Sequence, residues 1–306
     1  MNLINTALGL ANPDDLGITL YHEHLAMTPG PAKEFASSIF DDTDKILSEV
    51  NEFKDEGGGT FVEMSPINFG RNVKAYQEIS RKSGVNVICC TGFHRKKFLP
   101  DWIETISAQE IENRLIREIT EGMDDTDVKA GVIKIGTSFN EILPIEKRVI
   151  EIAAEAHKAT GVPVSSHCEK GSMALEQGKI LQKSRVSPDR VLLGHVDIPN
   201  DLDYLLEICK CGFNVGIDHV GRDLVNNDQR KIDLIKVLIE KGFIAQIFIS
   251  GDMGKKEYLR VYGGNPGFRY IVREFKASLL KNGISEKQYN QILIENPKRL
   301  FTPKLI

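Results

Sequence analysis

The chain alternates short apolar runs with stretches of helical periodicity along its whole length, and this alternation constrains the fold more than any other feature. Eight runs of strand length are rich in Val, Ile, Leu and Phe without strict polar alternation, which is typical of strands buried on both faces of a parallel sheet. Eight such strands with intervening helices predict a closed (β/α)8 TIM barrel, and 306 residues suit a single domain spanning 1–306. The runs cover residues 17–25, 60–66, 86–92, 131–137, 163–169, 191–197, 213–219 and 245–252.

Helical stretches between these runs carry apolar residues three and four positions apart. Residues 43–56, 145–160 and 232–241 follow this pattern, and each is followed directly by glycine. Residues 285–301 are also predicted to be helical, with an interruption near Pro297. An open doubly wound sheet is the alternative fold, but the G-x-G-x-x-G sequence that it would carry after the first strand is missing.

The composition is that of an ordinary globular protein. Hydrophobic residues make up 41% and charged residues 27% of the chain, and the net charge of −4 gives no reason to expect a nucleic-acid or membrane partner. No apolar stretch approaches the roughly 20 residues of a membrane span, and a secretory signal is not recognisable. The five cysteines are odd in number and include no C-x-x-C pair, so we expect reduced thiols and a cytoplasmic location.

The placement of the histidines indicates where the chemistry takes place. In a strand, residues two apart point to the same side, so His22 and His24 present two imidazoles together. Each histidine alone could be a hydrogen-bonded core residue, but with His167 and His195 ending two further strands a metal site is the better interpretation. Six of the seven histidines fall at or just after the carboxyl end of a predicted strand, which in a barrel carries the active site: His22, His24, His94, His167, His195 and His219.

Two further residues complete the candidate metal centre. Asp252 closes the eighth run, where a carboxylate can bind a metal and accept a proton, or can cap the next helix. Lys134 lies within an apolar strand, where burial of an unpaired charge would be costly. It could be carbamylated and bridge two metals, form a Schiff base with a carbonyl substrate, or pair with a carboxylate such as Glu63. The histidines favour the carbamate.

The ordered set of these residues resembles the phosphotriesterase-like branch of the amidohydrolase superfamily. The resemblance implies a metal-dependent hydrolase with a binuclear centre, commonly of zinc, although manganese or cobalt suits the same ligands. It further implies that a bridging hydroxide attacks the substrate while Asp252 shuttles the proton. In that arrangement His22, His24 and Asp252 bind the buried ion, His167 and His195 bind the outer ion, and carbamylated Lys134 bridges both. The similarity covers nearly the whole chain, through residues 16–25, 91–93, Lys134, His167, 194–195, 216–218, 251–252, 296–297 and Phe301.

The loops after the last two strands carry the candidate substrate-binding residues. Arg222, Lys255 and Tyr258 are expected near the metal face, and basic side chains beside a phenol suit a phosphate group. The segment 251–268 is similar to that of family members that act on phosphorylated furanose lactones, so the resemblance implies opening of a phosphorylated sugar 1,4-lactone. Lys256 is an alternative to Lys255, and Arg260 is a weaker candidate. The competing interpretation of these residues is ordinary surface charge.

Other functions stay open from the sequence. Within the same family, the chain could be an acyl-homoserine lactonase or a promiscuous phosphotriesterase. In other classes, it could be a Schiff-base aldolase using Lys134, or a barrel that binds without catalysis. We expect a small-molecule substrate, and the resemblance suggests a homodimer. His94, His219 and Cys168 are interpreted as structural or rim residues, and His157 as a helical surface residue.

Overall fold

A computed structural model of the chain describes residues 2–29, 36–222 and 227–304. Its centre is a parallel eight-stranded sheet, β3 to β10, in which each strand pairs with the next along the chain. The eight predicted strands and the barrel fold are confirmed. An antiparallel hairpin, β1 and β2, precedes the barrel and was not predicted. The strands are β1 (Ile4–Thr6), β2 (Gly9–Ala11), β3 (Ile18–Glu23), β4 (Gly58–Glu63), β5 (Asn86–Gly92), β6 (Val132–Thr137), β7 (Val164–Cys168), β8 (Val191–Gly194), β9 (Asn214–Ile217) and β10 (Ile247–Ile249).

Side chains close the barrel between β3 and β10. Ser250 Oγ lies 2.7 Å from both His22 O and Glu23 Oε1, and it accepts a hydrogen bond from the backbone N–H of His22. The Glu23 carboxylate also accepts the backbone N–H groups of Gly251 and Met253 at 2.7 and 2.8 Å. Burial raises the pKa of Glu23 to about 7. These contacts join the first and last barrel strands at the end where the histidines lie.

Helices cover the outside of the barrel. Asp42 caps the first by accepting the Lys45 N–H, and Gly161 ends the fourth in a left-handed conformation with φ of 75°. Among the described residues, none of the helices has both the length and the hydrophobicity needed to cross a bilayer. The α-helices are α1 (Thr43–Asp55), α2 (Val73–Ser83), α3 (Ala108–Thr120), α4 (Pro144–Thr160), α5 (Ala174–Lys183), α6 (Leu202–Lys210), α7 (Asn227–Glu240), α8 (Lys276–Lys281), α9 (Glu286–Asn290) and α10 (Asn296–Phe301).

The C-terminal helical segment differs in one respect from its prediction. The interruption expected near Pro297 is a π-helical turn, Gln291–Glu295, that joins α9 to α10 without breaking the helix. Pro297 lies in the first turn of α10, where a missing N–H is tolerated.

His157 corrects a prediction. It lies on α4 as expected, but it is fully buried rather than on the surface. Its Nδ1 is 2.7 Å from the carbonyl oxygen of Val162, just beyond the helix end, so the ring ties the α4 terminus to the approach of β7. His157 Nε2 has no hydrogen-bond partner among the described residues.

Candidate active site

Four of the predicted ligands converge at the carboxyl end of β3. His24 Nε2 lies 3.2 Å and His22 Nε2 lies 3.7 Å from Asp252 Oδ1. The period of two along β3 turns both imidazoles inward, while Glu23 between them faces the closing contacts of the barrel. Lys134 Nζ, from the middle of β6, lies 3.1 Å from His22 Nε2. These four residues, which the sequence assigns to the candidate metal centre, therefore lie together in one cluster.

Lys134 is almost completely buried, and its environment narrows the alternatives for its role. Burial lowers the pKa of its amine, which favours the neutral form that can react with carbon dioxide or a carbonyl group. The predicted alternative of an ion pair with Glu63 is wrong. The Glu63 carboxylate instead accepts hydrogen bonds from the hydroxyl and the backbone N–H of Ser65. Ser65 Oγ in turn lies 2.8 Å from His24 Nδ1.

The two remaining predicted ligands, His167 and His195, are each held by a carboxylate. His167 Nε2 lies 2.7 Å from Glu169 Oε2, and His195 Nδ1 lies 2.9 Å from Asp218 Oδ2. The other ring nitrogens, His167 Nδ1 and His195 Nε2, have no hydrogen-bond partner among the described residues, and the approach of His195 Nδ1 to Asp218 is a close contact without hydrogen-bond geometry. The two rings are adjacent, with centroids 4.6 Å apart. A carboxylate on one nitrogen orients the opposite nitrogen of each ring for metal binding.

The donor atoms suit divalent ions. Three groups of ligand atoms, each lying within 4.8 Å of one another, occur among the described residues: His22, His24 and Asp252; His22, His195 and Asp218; and His195, His219 and Asp252. Burial lowers the pKa of His22, His167 and His219, that of His167 to about 3, so these rings are neutral imidazoles at neutral pH. Neutral imidazole and carboxylate are the donors that zinc, manganese and cobalt accept. The cluster thus fits a metal centre.

The second carboxylate oxygen of Asp252, which does not face His22 and His24, also has contacts. Its Oδ2 lies 3.0 Å from His219 Nε2 and 2.6 Å from Arg222 Nη1. Burial alone would raise the pKa of this carboxyl, but the Arg222 guanidinium and the His219 hydrogen bond hold it well below its usual range. Asp252 is therefore a carboxylate with one oxygen towards the candidate metal ligands and the other towards His219.

Strained backbone marks the ends of three successive strands. His195, His219 and Asp252 follow β8, β9 and β10, and each adopts a left-handed conformation, with φ of 65°, 56° and 51°. Residues other than glycine rarely adopt this conformation because of its energetic cost. The repeated conformation turns each side chain back over the mouth of the barrel, where all three contribute to a single group of possible ligand atoms.

The predicted phosphate-binding residues lie together, but Arg222 is closer to the metal cluster than expected. Its Nη2 lies 3.2 Å from Tyr258 Oη, and its guanidinium stacks 4.4 Å above the Tyr258 ring. Lys255 lines the same cavity as Arg222 and is partly exposed. Lys256 instead lies over the Tyr262 ring and Arg260 pairs with Glu52, so these two alternatives point elsewhere.

The cavity above the cluster is large enough for a small substrate. It has a volume of about 220 Å³, with the candidate metal ligands on its floor. Arg222 and Lys255 form a cationic wall, and an opposite wall carries His94, Phe69 and Phe98 together with Arg95 and Glu169.

The sequence did not reveal the residues that support the candidate ligands. Glu169 and Asp218 were not singled out, and His219 was interpreted as structural, although it contacts Asp252 directly. The sequence feature that could have drawn attention to Asp218 is the glycine two residues before it, Gly216. A Cβ there would lie 1.8 Å from Tyr21 Oη, which donates a hydrogen bond to Asp218.

Comparison with known proteins assigns the family. Residues 2–301 match the model of the phosphotriesterase family. The chain belongs to the phosphotriesterase family. Members of the phosphotriesterase family are metal-dependent hydrolases that act on esters and lactones, and this chain is therefore a metal-dependent hydrolase. The predicted resemblance and enzyme class are confirmed.

Phosphotriesterase-family relatives match this chain over most of its length. The phosphotriesterase homology protein of Escherichia coli is 34% identical over 94% of this chain and 99% of its own, and its solved structure, with phosphate in the active site, has a TM-score of 0.90. The phospho-furanose lactonase of Mycoplasmopsis synoviae is 33% identical over 97% of this chain and 90% of its own. A lactonase structure from Listeria monocytogenes has a TM-score of 0.94 at 30% identity and covers 99% of both chains.

Proposed function

We propose that this enzyme opens the ring of a phosphorylated sugar 1,4-lactone, with the phosphate bound by Arg222, Lys255 and Tyr258. The observation that carries the proposal is the cationic wall beside the metal-binding cluster. Arg222 and Lys255 line the same cavity as His22, His24 and Asp252. A substrate whose reacting carbonyl lies over the cluster can therefore place an anionic group against these two side chains.

Arg222 keeps part of its binding capacity in this arrangement. One of its nitrogens, Nη1, is used by the carboxylate and the backbone carbonyl of Asp252, and Nη2 contacts Tyr258. Its Nε–H has no partner among the described residues, and a guanidinium carries five N–H donors in total. Arg222 can thus bind a phosphate oxygen while it still holds Asp252. The names of two relatives, phospho-furanose lactonase and lactonase, support the same substrate class.

The six predicted ligands would hold two divalent ions. His22, His24 and Asp252 would bind the inner ion, His167 Nδ1 and His195 Nε2 the outer one, and a carbamate on Lys134 would bridge them. Bound ions of this kind supply a water of lowered pKa and polarise the substrate carbonyl. Zinc is the ion we expect, with manganese and cobalt as alternatives.

Asp252 and His219 provide a route for the proton. During ring opening the leaving alkoxide must gain a proton, and Asp252 lies between the candidate ligands and the cavity. Asp252 can pass the proton that it takes from the attacking water to this alkoxide, and His219 Nε2, 3.0 Å from Asp252 Oδ2, can stabilise the carboxylate by donating a hydrogen bond to it. Asp252 is therefore proposed as the proton shuttle and His219 as its partner.

One observation favours a second function. The lowered pKa of the buried Lys134 amine also suits a Schiff-base aldolase, because only the neutral amine attacks a carbonyl. That function leaves His167 and His195, with their carboxylate partners, without a role. Trapping of a substrate on Lys134 by borohydride would support the aldolase, and its absence would support the lactonase.

Metal analysis combined with a substrate panel tests the proposal. We expect about two divalent ions per chain, and hydrolysis of phosphorylated furanolactones but not of unphosphorylated lactones or acyl-homoserine lactones. Preference for acyl-homoserine lactones or phosphotriesters would reject the phosphate-binding wall while keeping the metal centre. A protein without metal or hydrolysis would reject both.

A matched pair of variants tests the cationic wall itself. Lys255→Met should raise KM for the phosphorylated lactone by about tenfold or more, because it removes a charged partner of the phosphate. Lys256→Met changes the neighbouring lysine, which lies over Tyr262, and should leave KM unchanged. Equal effects of the two substitutions would contradict the assignment of Lys255.

A further inference from the structure

The wall of the cavity opposite Arg222 carries polar groups that the proposed reaction does not use. His94 and Arg95 follow β5, and Glu169 follows β7, whereas Arg222 follows β9. In an eight-stranded barrel in which neighbours in sequence are neighbours in space, β5 and β9 lie on opposite sides. A substrate with its phosphate on Arg222 and its carbonyl over the cluster therefore turns its remaining edge towards His94 and Arg95, and Arg95 contacts Glu169.

His94 is held as a hydrogen-bond donor. Its Nδ1 accepts the backbone N–H of Arg95 at 2.8 Å, and because an amide can only donate, the proton of the neutral ring lies on Nε2. Because Nδ1 accepts a hydrogen bond it carries no proton, so the ring is neutral. The ring stacks on Phe69 at 4.7 Å and lies 4.2 Å from the His167 ring. Nε2 has no partner among the described residues, and it is not sealed from the cavity that His94 lines.

Glu169 supplies the complementary acceptor. Both of its contacts use a single oxygen: Oε2 lies 2.7 Å from His167 Nε2 and 2.9 Å from Arg95 Nε. The Arg95 guanidinium contacts Glu169, so the group is a carboxylate that only accepts hydrogen bonds. The second oxygen, Oε1, has no hydrogen bond to any described residue. The cavity is thus lined by a fixed N–H donor and by a carboxylate with one unused oxygen.

We propose that His94 and Glu169 form a hydroxyl-binding subsite, which selects lactones with a free ring hydroxyl on the edge opposite the phosphate. A hydroxyl group both donates and accepts, so it can bind Glu169 Oε1 and His94 Nε2–H at once. A lactone with hydrogen in that place leaves both groups without a partner, and a site built for a hydroxyl discriminates strongly against such an analogue. The subsite rests on the proposed lactonase function for its choice of substrate.

His94→Phe is the variant of choice. It keeps an aromatic ring against Phe69 and removes the Nε2–H donor, whereas a change at Glu169 would also release His167. We expect wild-type protein to prefer a hydroxylated phosphofuranolactone over its deoxy analogue by about tenfold or more in kcat/KM. In His94→Phe the hydroxylated substrate should lose most of this advantage while the deoxy substrate is turned over as before. His94→Gln, which restores an N–H donor, should recover part of the preference.

An equal fall of both substrates in His94→Phe, or an unchanged preference, would overturn the subsite. Calorimetric binding of a non-hydrolysable pair, the corresponding cyclic ether phosphates with and without the hydroxyl, separates this result from a failure of the lactonase proposal. Tighter binding of the hydroxylated ether without any lactone hydrolysis would keep the subsite and reject the proposed reaction. Equal binding of the two ethers, or binding of neither, would reject the subsite even if the enzyme hydrolyses lactones.

Discussion

His195 Nδ1 lies 2.9 Å from Asp218 Oδ2, and the same carboxylate accepts the backbone N–H of His195 and the hydroxyl of Tyr21. Burial would raise the pKa of Asp218, but His195 lowers it far below its usual range, so the group is an anion. The contact orients His195 Nε2 towards the cavity. Substitution of Asp218 therefore tests the outer metal site without altering any of the six proposed ligands.

Replacing Asp218 by Asn should weaken metal binding. The amide removes the negative charge behind His195 and can present the wrong group to Nδ1, and loss of such a partner typically costs 10- to 100-fold in affinity. The measurement is the metal retained per chain against increasing chelator concentration. Asp203→Asn, an exposed position in the first turn of α6, is the control and should behave like wild type. Equal retention by all three proteins would contradict the role of Asp218.

Replacing His219 by Phe should slow turnover without emptying the metal centre. His219 contacts Asp252 through one hydrogen bond, and we expect kcat to fall by about tenfold or more because Asp252 loses the donor that holds its carboxylate. KM for the phosphorylated lactone should change little. The two parameters are measured together with the metal content. A rise in KM at constant kcat would show that His219 serves binding rather than proton transfer.

Lys134 should make metal uptake depend on carbon dioxide. Because its buried amine has a lowered pKa, metal-stripped protein should recover two ions per chain readily when bicarbonate is supplied and poorly when it is excluded. Labelled bicarbonate should give a carbamate signal by carbon NMR. Lys134→Met keeps the length of the side chain without its amine and should show neither effect. Equal metal uptake by wild-type protein with and without bicarbonate would contradict the carbamate on Lys134.

His157 should contribute to acid sensitivity. Burial lowers its pKa in the folded state relative to the unfolded value of about 6.5, so the folded state binds fewer protons. Stability from this group is present above pH 6.5 and is lost as the pH falls below it, by at most about 1.4 kcal/mol per pH unit. Urea unfolding at pH 7.5 and 5.5 measures the difference. His157→Asn, which does not titrate, should lose less stability between these two pH values than wild type.

The sequence predicts the barrel, and it places the candidate ligands at the carboxyl ends of its strands, because both depend on local patterns. Apolar runs mark β3 to β10, and the histidines at their ends need only the barrel topology to bring them together. The supporting carboxylates depend on geometry outside this pattern. Glu169 meets His167 at the point where the chain leaves β7, and Asp218 meets His195 only because β8 pairs with β9. Neither relation leaves a periodic signal.

Two other errors have different causes. The hairpin of β1 and β2 has strands of only three residues, too short for any hydrophobic pattern. His157 was placed on the surface because of its polarity, although it lies four residues after Ala153, which is on the buried face of α4. The spacing that identified the helix therefore also predicted the burial of this histidine.

The side-chain closure between β3 and β10 has a consequence for how the enzyme assembles. Ser250 and the His22 carbonyl that it contacts are 228 positions apart, so this contact closes a long loop and carries the entropic cost of joining distant parts of the chain. The inner ligands come from both sides of that junction and are separated until it forms. A divalent ion can therefore be bound by its full inner ligand set only after the junction has formed, and by mass action a bound ion then stabilises the contact between the first and last strands.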